Sequence, residues 1–335
     1  MFTIYSKTKR RDCEGNTRRD FLKVGAIGGS LLTLPNLLRA KAKAPTVVNN
    51  KSVIWICEGT MSCLEPGVNR PLPSEPREAA GVVELVDRLS HNPRIDDLAM
   101  TTNAFLLAKM AQELKDAGLR RITVSLDSLD EDVFKAMNGR GYGTRRVLDG
   151  IEAADRAGLT PIKINSVVKR GVNEHTLIDL ARFAKERGYL VRFIEYMDVG
   201  TLNGWKLDQV VPADEIVQIV GDAMPLEPIE ANYGGEVAMR YRYADGEGEV
   251  GIIASVTQPF CGDCTRLRLS PDGELVTCLF ASGGADLQEV LRSGASDEEL
   301  EERIRATWTL RKDRYSEIRT LETERTRKKV EMYHI

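Results

Sequence analysis

The sequence predicts an α/β fold: a parallel sheet with helices packed outside it, as a full or partial (β/α) barrel or an open doubly wound sheet, followed by a C-terminal α+β layer. Three observations carry this. From residue 79 to about residue 200, short β-branched runs alternate strictly with stretches of helical period. Glycines close the helical stretches at Gly118, Gly158 and Gly188, where a left-handed residue ends a helix at little steric cost. Beyond residue 200 the alternation gives way to hairpin patterns around Asp245-Gly246 and Pro271-Asp272-Gly273.

Taken in order, residues 1–16 are polar, the composition of a loose terminus. Thr17-Arg18-Arg19-Asp20-Phe21-Leu22-Lys23 then leads into an apolar, glycine-rich run from Val24 to Leu38, which ends in Arg39-Ala40-Lys41-Ala42. A basic start, an apolar middle and an Ala-x-Ala end make an export signal, and the paired arginines match the twin-arginine kind. Residues 1–45 therefore read as a twin-arginine-like signal segment that suggests export. The run is shorter and richer in glycine than the ~20 residues of a membrane span, so no stable span is expected. Val47 to Cys57 reads as a strand, and Glu58 to Pro76, with four prolines and two glycines, as loop. Residues 46–78 thus stand outside the regular alternation.

Residues 79–200 form the barrel part. Helices are expected over Ala80–Ser90, Leu106–Ala117, Glu131–Met137, Thr144–Ala157 and Glu174–Arg187. Strands are expected over Asp97–Thr101, Arg121–Leu126, Pro161–Val168 and Leu190–Tyr196. In either α/β architecture ligands sit at the carboxyl ends of the strands, which singles out Thr101, Ser125 and Met197. Lys163 lies between Ile162 and Ile164. Alternate residues face opposite sides of a strand, so two isoleucines facing the helices turn the lysine into the barrel interior, where it needs an anion. The plainer alternatives are a lysine that snorkels to solvent and a methionine that is only core.

Residues 201–335 form the C-terminal region, and 198–258 read as a separate layer. A helix over Asp208–Asp222 starts at Pro-Ala-Asp-Glu, and Glu236–Tyr243 pairs with Glu249–Ser255 as a hairpin. Two helices, Ala285–Ser293 and Asp297–Leu310, follow the cysteine hairpin. The tail Arg311–Ile335 is basic and glutamate-rich without an apolar face, which predicts a mobile end.

The chain carries a net charge of −3 with 29% charged residues, so neither nucleic acid nor a membrane surface is signalled as a partner. Of six cysteines, Cys13, Cys57 and Cys63 are scattered, whereas Cys261, Cys264 and Cys278 are grouped. If the turn closes at Asp272-Gly273, Cys278 returns opposite Arg266 or Leu267 and three thiols converge. Structural zinc takes four protein ligands, and His91, His175 and His334 are far away in sequence. A four-iron cluster takes one cysteine per iron, so three cysteines would leave one iron open. A lone disulfide with a free thiol is the third alternative. Arg266 and Arg268 share one strand face, and two guanidiniums suit a phosphate-bearing ligand, or simply a solvated charged face.

Thr-Thr-Asn, Val-Ser-Leu-Asp-Ser-Leu-Asp, Lys-Ile-Asn, Arg-Phe-Ile-Glu-Tyr-Met and Cys-Gly-Asp-Cys-Thr-Arg-Leu-Arg-Leu occur in this order. From about Arg70 to Ile335 the chain resembles the GTP 3',8-cyclases of molybdenum cofactor biosynthesis, which are radical S-adenosylmethionine enzymes. The resemblance implies a partial (β/α) TIM-like barrel of the radical S-adenosylmethionine type, incomplete at its N-terminus, with a C-terminal α+β layer carrying a [4Fe–4S] cluster. It implies Cys261, Cys264 and Cys278 as cluster ligands. It also implies Arg70, Thr101, Lys163, Arg266, Leu267 and Arg268 as contacts to GTP, and Ser125 and Met197 as contacts to S-adenosylmethionine. The product would be 3',8-cyclo-7,8-dihydroguanosine triphosphate, the location cytoplasmic, and a homodimer a compatible assembly.

The sequence also departs from that pattern. The family's first cluster sits on a Cys-x3-Cys-x2-Cys loop, and no such triplet occurs between Met1 and Ile335. Pro73-Ser74-Glu75-Pro76 stands where the family has Gly-Gly-Glu-Pro. The terminal Gly-Gly of the family does not follow Ile335. Residues 16–66 loosely resemble the start of twin-arginine-exported relatives of the alkaline phosphatases. One cluster is therefore expected, with the ligands of a second absent.

Overall fold

The computed structural model describes residues 53–58, 80–93, 95–138, 142–199, 205–262, 264–270 and 273–322. The signal segment, Arg70 and Cys63 lie outside these. Eight strands form one sheet: β1 (Val53–Glu58), β2 (Asp97–Thr102), β3 (Arg121–Ser125), β4 (Lys163–Val168), β5 (Leu190–Glu195), β6 (Leu226–Ile229), β7 (Met239–Tyr243) and β8 (Glu249–Ile253). Their spatial order is β1-β2-β3-β4-β5-β8-β7-β6. Strands β1 to β5 are parallel and neighbour one another in chain order. A doubly wound sheet reverses its order at a switch point; this one does not, so its winding is that of a (β/α) barrel. Among the described residues no pairing joins β1 to β6, and the barrel is open.

The connecting helices are α1 (Ala80–Ser90), α2 (Leu107–Asp116), α3 (Glu131–Asn138), α4 (Thr144–Arg156), α5 (Leu177–Glu186) and α6 (Ala213–Ala223). Each presents an apolar stripe of helical period: Leu107, Met110, Ala111 and Leu114 on α2, Leu177, Leu180, Ala181 and Ala184 on α5. These stripes cover Leu98, Met100, Ile122, Val124, Ile162, Ile164, Val191 and Phe193 in one core. Gly118 and Gly158 take positive φ, 101° and 73°. The amide after each reaches back across the last turn, Leu119 to Leu114 O at 2.9 Å and Leu159 to Ala154 O at 3.0 Å, the pattern that satisfies a helix end.

The C-terminal region departs from expectation in two respects. Residues 198–258 are not a separate layer, because β8 pairs in parallel with β5, Val191 with Val250 and Phe193 with Ile252, and β7 and β6 extend the same sheet. Val250 and Ile252 alternate with residues of the other face just as Val191 and Phe193 do, and all four enter the main core. Nor is the tail from Arg311 loose throughout: Tyr315–Glu322 forms a helix whose Tyr315 and Arg319 are buried. That helix is held by polar and aromatic contacts, which a search for an apolar stripe does not detect.

A second, three-stranded sheet comprises β9 (Arg268–Leu269), β10 (Glu274–Val276) and β11 (Ala285–Asp286). Helices α7 (Gln288–Arg292), α8 (Asp297–Thr309) and α9 (Tyr315–Glu322) follow. Leu275, Leu287, Leu300 and Ile304 make its small core. Among the described residues no helix is long and apolar enough to cross a membrane.

Candidate functional site

Alternation sorts the barrel strands into two faces. With Leu98, Met100, Ile122, Val124, Ile162 and Ile164 committed to the helices, the residues between them line the concave face. Register then places Thr101, Thr123 and Lys163 side by side on β2, β3 and β4. One row nearer the strand ends, Ser125, Asn165 and Arg192 are neighbours. Alternation and register therefore put Thr101, Ser125 and Lys163 on one surface, Thr101 and Ser125 near the carboxyl ends of their strands and Lys163 at the start of β4, opposite Leu190, while Met197 follows the end of β5.

This surface is cationic. Arg121 is paired with Asp97 at 2.6 Å. Arg192, 5% exposed, donates from Nε to Asn165 Oδ1 at 2.8 Å. Its stem crosses Gly251, where a Cβ would lie 3.0 Å from Arg192 Cγ, a tight approach that glycine on β8 relieves. Lys163 makes no ion pair with any described carboxylate. Burial, reinforced by the charges of Arg192 and Arg121, pulls its ammonium down to about 8, and burial together with Arg121 brings Arg192 down to about 10. Like charges held together and partly desolvated are an arrangement that an incoming polyanion relieves.

The cysteine segment meets this face through Phe260. Phe260 packs with Ile194, Ile253, Val167 and Met197, and Arg266 lies over its ring at 4.9 Å. Tyr233, on the loop between β6 and β7, is within electrostatic reach of Arg121, Arg192 and Arg266. Glu195, fully buried, holds the approach to the cysteines: it accepts from Ala213 N at 2.8 Å, Val256 N at 2.6 Å, Thr257 N at 2.9 Å and the Thr257 hydroxyl.

Cys261, Cys264 and Cys278 are free thiols, half-buried, which sets aside the disulfide alternative. Cys264 N donates to Cys261 O at 3.3 Å, so the first two share one turn. The β9–β10 register, Val276 opposite Arg268, carries Cys278 back across from Arg266 as expected, and Cys261 and Cys278 feel each other's charge. Among the described residues no three His, Cys, Asp or Glu side chains are close enough to grip a single metal ion. A cluster that takes one thiolate per iron spaces its ligands more widely than a single ion does.

The donor set suits such a cluster. All three donors are thiols, Arg266 Nη2 donates to Cys264 Sγ at 3.3 Å, and Phe280 N donates to Cys278 Sγ at 3.4 Å, the outer hydrogen bonds that sulfur ligands receive. Burial alone would raise Cys264, but the Arg266 amide and guanidinium, with the charge of Arg311, bring it below the usual thiol value. Burial keeps Cys278 above it. Arg266 Nε is buried with no hydrogen-bond partner among the described residues.

Several residues here escaped the sequence expectations. Arg192 stands between Val191 and Phe193 as Lys163 stands between two isoleucines, and the same alternation would have found it. Glu195, Asp198, Tyr233 and Arg319 carry no comparable local signal.

One neighbour yields a prediction of its own. Asp127, 6% exposed, sits beyond β3 and accepts from Val167 N at 2.8 Å. Burial pushes its carboxyl up to about 7, with the Val167 amide opposing. An unfolded aspartate titrates near 4, so the folded chain binds the extra proton, and that stabilising contribution is complete below about pH 4 and lost as pH rises through about 7. Asp127→Asn keeps the acceptor and removes the charge. Urea unfolding is expected to show its stability gaining on the parent by about 1.4 kcal/mol per pH unit between about 4 and 7, and a difference flat with pH would rule this out.

Comparison with known proteins defines the family. Residues 54–184 match the radical SAM superfamily profile and residues 189–317 the Molybdenum Cofactor Synthesis C profile, so the class defined by fold and site is the radical S-adenosylmethionine one. A GTP 3',8-cyclase of Acidothermus cellulolyticus is 50% identical over 257 residues, 76% of this chain and 71% of the relative. One from Xanthomonas campestris pv. campestris is 48% identical over 78% of this chain and 76% of the relative, and one from Staphylococcus aureus 43% over 75% and 74%. The chain belongs to the GTP 3',8-cyclase family. Among solved structures, Streptococcus suis SuiB bound to S-adenosylmethionine aligns with a TM-score of 0.44 at 13% identity, covering 82% of this chain and 58% of that one, a level that leaves the assignment resting on the sequence relatives.

Proposed function

We propose that this chain binds GTP between the concave face and the cysteine segment, for the 3',8-cyclisation that gives its family its name. The observation that supports this most is the half-buried Lys163, with no ion pair among the described residues, held close to the charges of Arg192 and Arg121. In this reading Lys163, Thr101, Arg192 and Arg70 receive the triphosphate end, Arg266, Leu267 and Arg268 the nucleoside end, and Ser125 and Met197 line the place of S-adenosylmethionine. Cys261, Cys264 and Cys278 hold one [4Fe–4S] cluster, whose fourth iron, when the group is bound, offers guanine an open coordination position. The chain's own residues then bind, orient and screen the nucleotide: cations neutralise phosphates, and Phe260 and Tyr233 close its flank against water.

A second reading, a GTP- and cluster-binding protein without catalysis, is favoured by the missing Cys-x3-Cys-x2-Cys, since the family's radical begins at the cluster those cysteines hold. Anaerobic reconstitution followed by iron and sulfide counts, GTP titration and assay for 5'-deoxyadenosine separates the two. One cluster, GTP binding and no 5'-deoxyadenosine select the second reading; two clusters with 5'-deoxyadenosine and cyclised product select the first. Absence of GTP binding by the iron-loaded protein rejects both.

A further inference from the structure

A buried carboxylate anchors the segment that follows α8. Asp198, 3% exposed, lies just past β5. Tyr315 Oη donates to its Oδ2 at 2.5 Å and Arg319 Nε to its Oδ1 at 2.7 Å. Arg319 Nη1 goes on to Ser255 O, past the end of β8, at 2.6 Å. The Arg319 guanidinium also lies over the rings of Phe280 and Tyr315, at 4.8 and 5.7 Å, and those rings stack at 4.9 Å. Phe280 is the residue whose amide donates to Cys278 Sγ. A second tie runs from Thr277 Oγ1 to Asp313 Oδ2 at 2.5 Å.

A buried ion pair is a poor source of stability, because desolvation offsets much of its attraction; its better-attested use is to specify one arrangement over others. What this pair specifies is where Phe280, and with it Cys278, stands relative to β5 and β8.

We propose that Asp198, Arg319 and Tyr315 are positioning residues that fix the Cys278 arm against the barrel, so that the three thiols keep one arrangement. This rests on the reading of those thiols as cluster ligands, and its test separates the two. They act on Cys278 through Phe280, and Tyr315 also belongs to the apolar cluster against which Cys278 packs.

The test uses the full chain with two readouts: amide hydrogen exchange over residues 278–281 in metal-free protein, and the rate of iron loss to a ferrous chelator after anaerobic reconstitution. Arg319→Met is expected to speed both about tenfold while amides of β3 and β5 keep parental exchange. Tyr315→Phe keeps the ion pair and is expected to shift exchange about threefold. Asp198→Asn with Arg319→Gln, a neutral pair able to hydrogen-bond, is expected to return both readouts toward the parent. Parental values for Arg319→Met in both readouts, with the barrel intact, overturn the proposal. Should Arg319→Met unfold the barrel as well, Tyr315→Phe decides, and parental exchange at 278–281 overturns it. A parent protein that never retains iron sinks the cluster reading instead, and the exchange of the metal-free variants still decides the positioning.

Discussion

Replacing Cys261, Cys264 or Cys278 by alanine is expected to take the reconstituted protein from about four irons per chain to fewer than one, since a cubane with two remaining protein ligands leaves two irons open. Each thiol has a distinct setting. Cys264 is held below its ordinary pKa by Arg266 and Arg311, so it gives up its proton more readily than an ordinary thiol. Cys278 is held above it by burial, and iron must displace its proton on binding. Iron loading should therefore release protons and weaken as pH falls, and alanine at any one position should remove both the iron and the charge-transfer absorption. Cys57→Ala, in the strand β1, and Cys13→Ala serve as controls and should leave iron unchanged. A Cys278→Ala protein that kept a full complement of iron would exclude the proposed ligand set.

Lys163→Ala is expected to weaken GTP binding by about 100-fold, in the range measured when one member of a desolvated charge pair is truncated. The parent protein carries a further signature. With its ammonium brought down to about 8, Lys163 is about half-protonated at pH 8, and a triphosphate beside it restores the charge, so binding at that pH takes up about half a proton. The sign follows directly: affinity is full below pH 8 and declines as pH rises through it. Titration calorimetry at pH 8 in two buffers of different ionisation heat measures the uptake, which should vanish in Lys163→Ala. Equal apparent heats for the parent in both buffers would show that Lys163 does not meet the phosphates.

Most of the barrel could be read from the chain because each of its elements is locally consistent. Helix α1 occupies Ala80–Ser90 as expected, and α2 and α4 end two residues before their glycine stops, Gly118 and Gly158. Lys163 was legible because period-two alternation forces a side. The cysteine hairpin was legible because turn-forming residues stand between its two strands, and the pairing of Leu269 with Leu275 and Arg268 with Val276 is the register their position implies. What escaped depends on partners distant in sequence. Strand β6 carries Pro228 and no clear alternation, and exists because β7 offers it an edge. Helix α9 is polar, and its docking on Asp198, 117 and 121 residues away from Tyr315 and Arg319, has no local trace. The pairing of β8 with β5 is of the same kind, since nothing in Glu249–Ile253 says which strand it will join.

That last pairing bears on modularity. The two profile matches meet between residues 184 and 189, yet β5, which begins at Leu190, is bonded to β4 on one side and to β8 on the other. A cut at the boundary would strip β4 of one of its two neighbours and part β5 and β8 from the core they share with β2 to β4, so neither piece inherits a finished interior. The unit that evolution could exchange is accordingly larger than either match, and chimaeras within the family should succeed only where the β4, β5 and β8 ladder comes from a single parent.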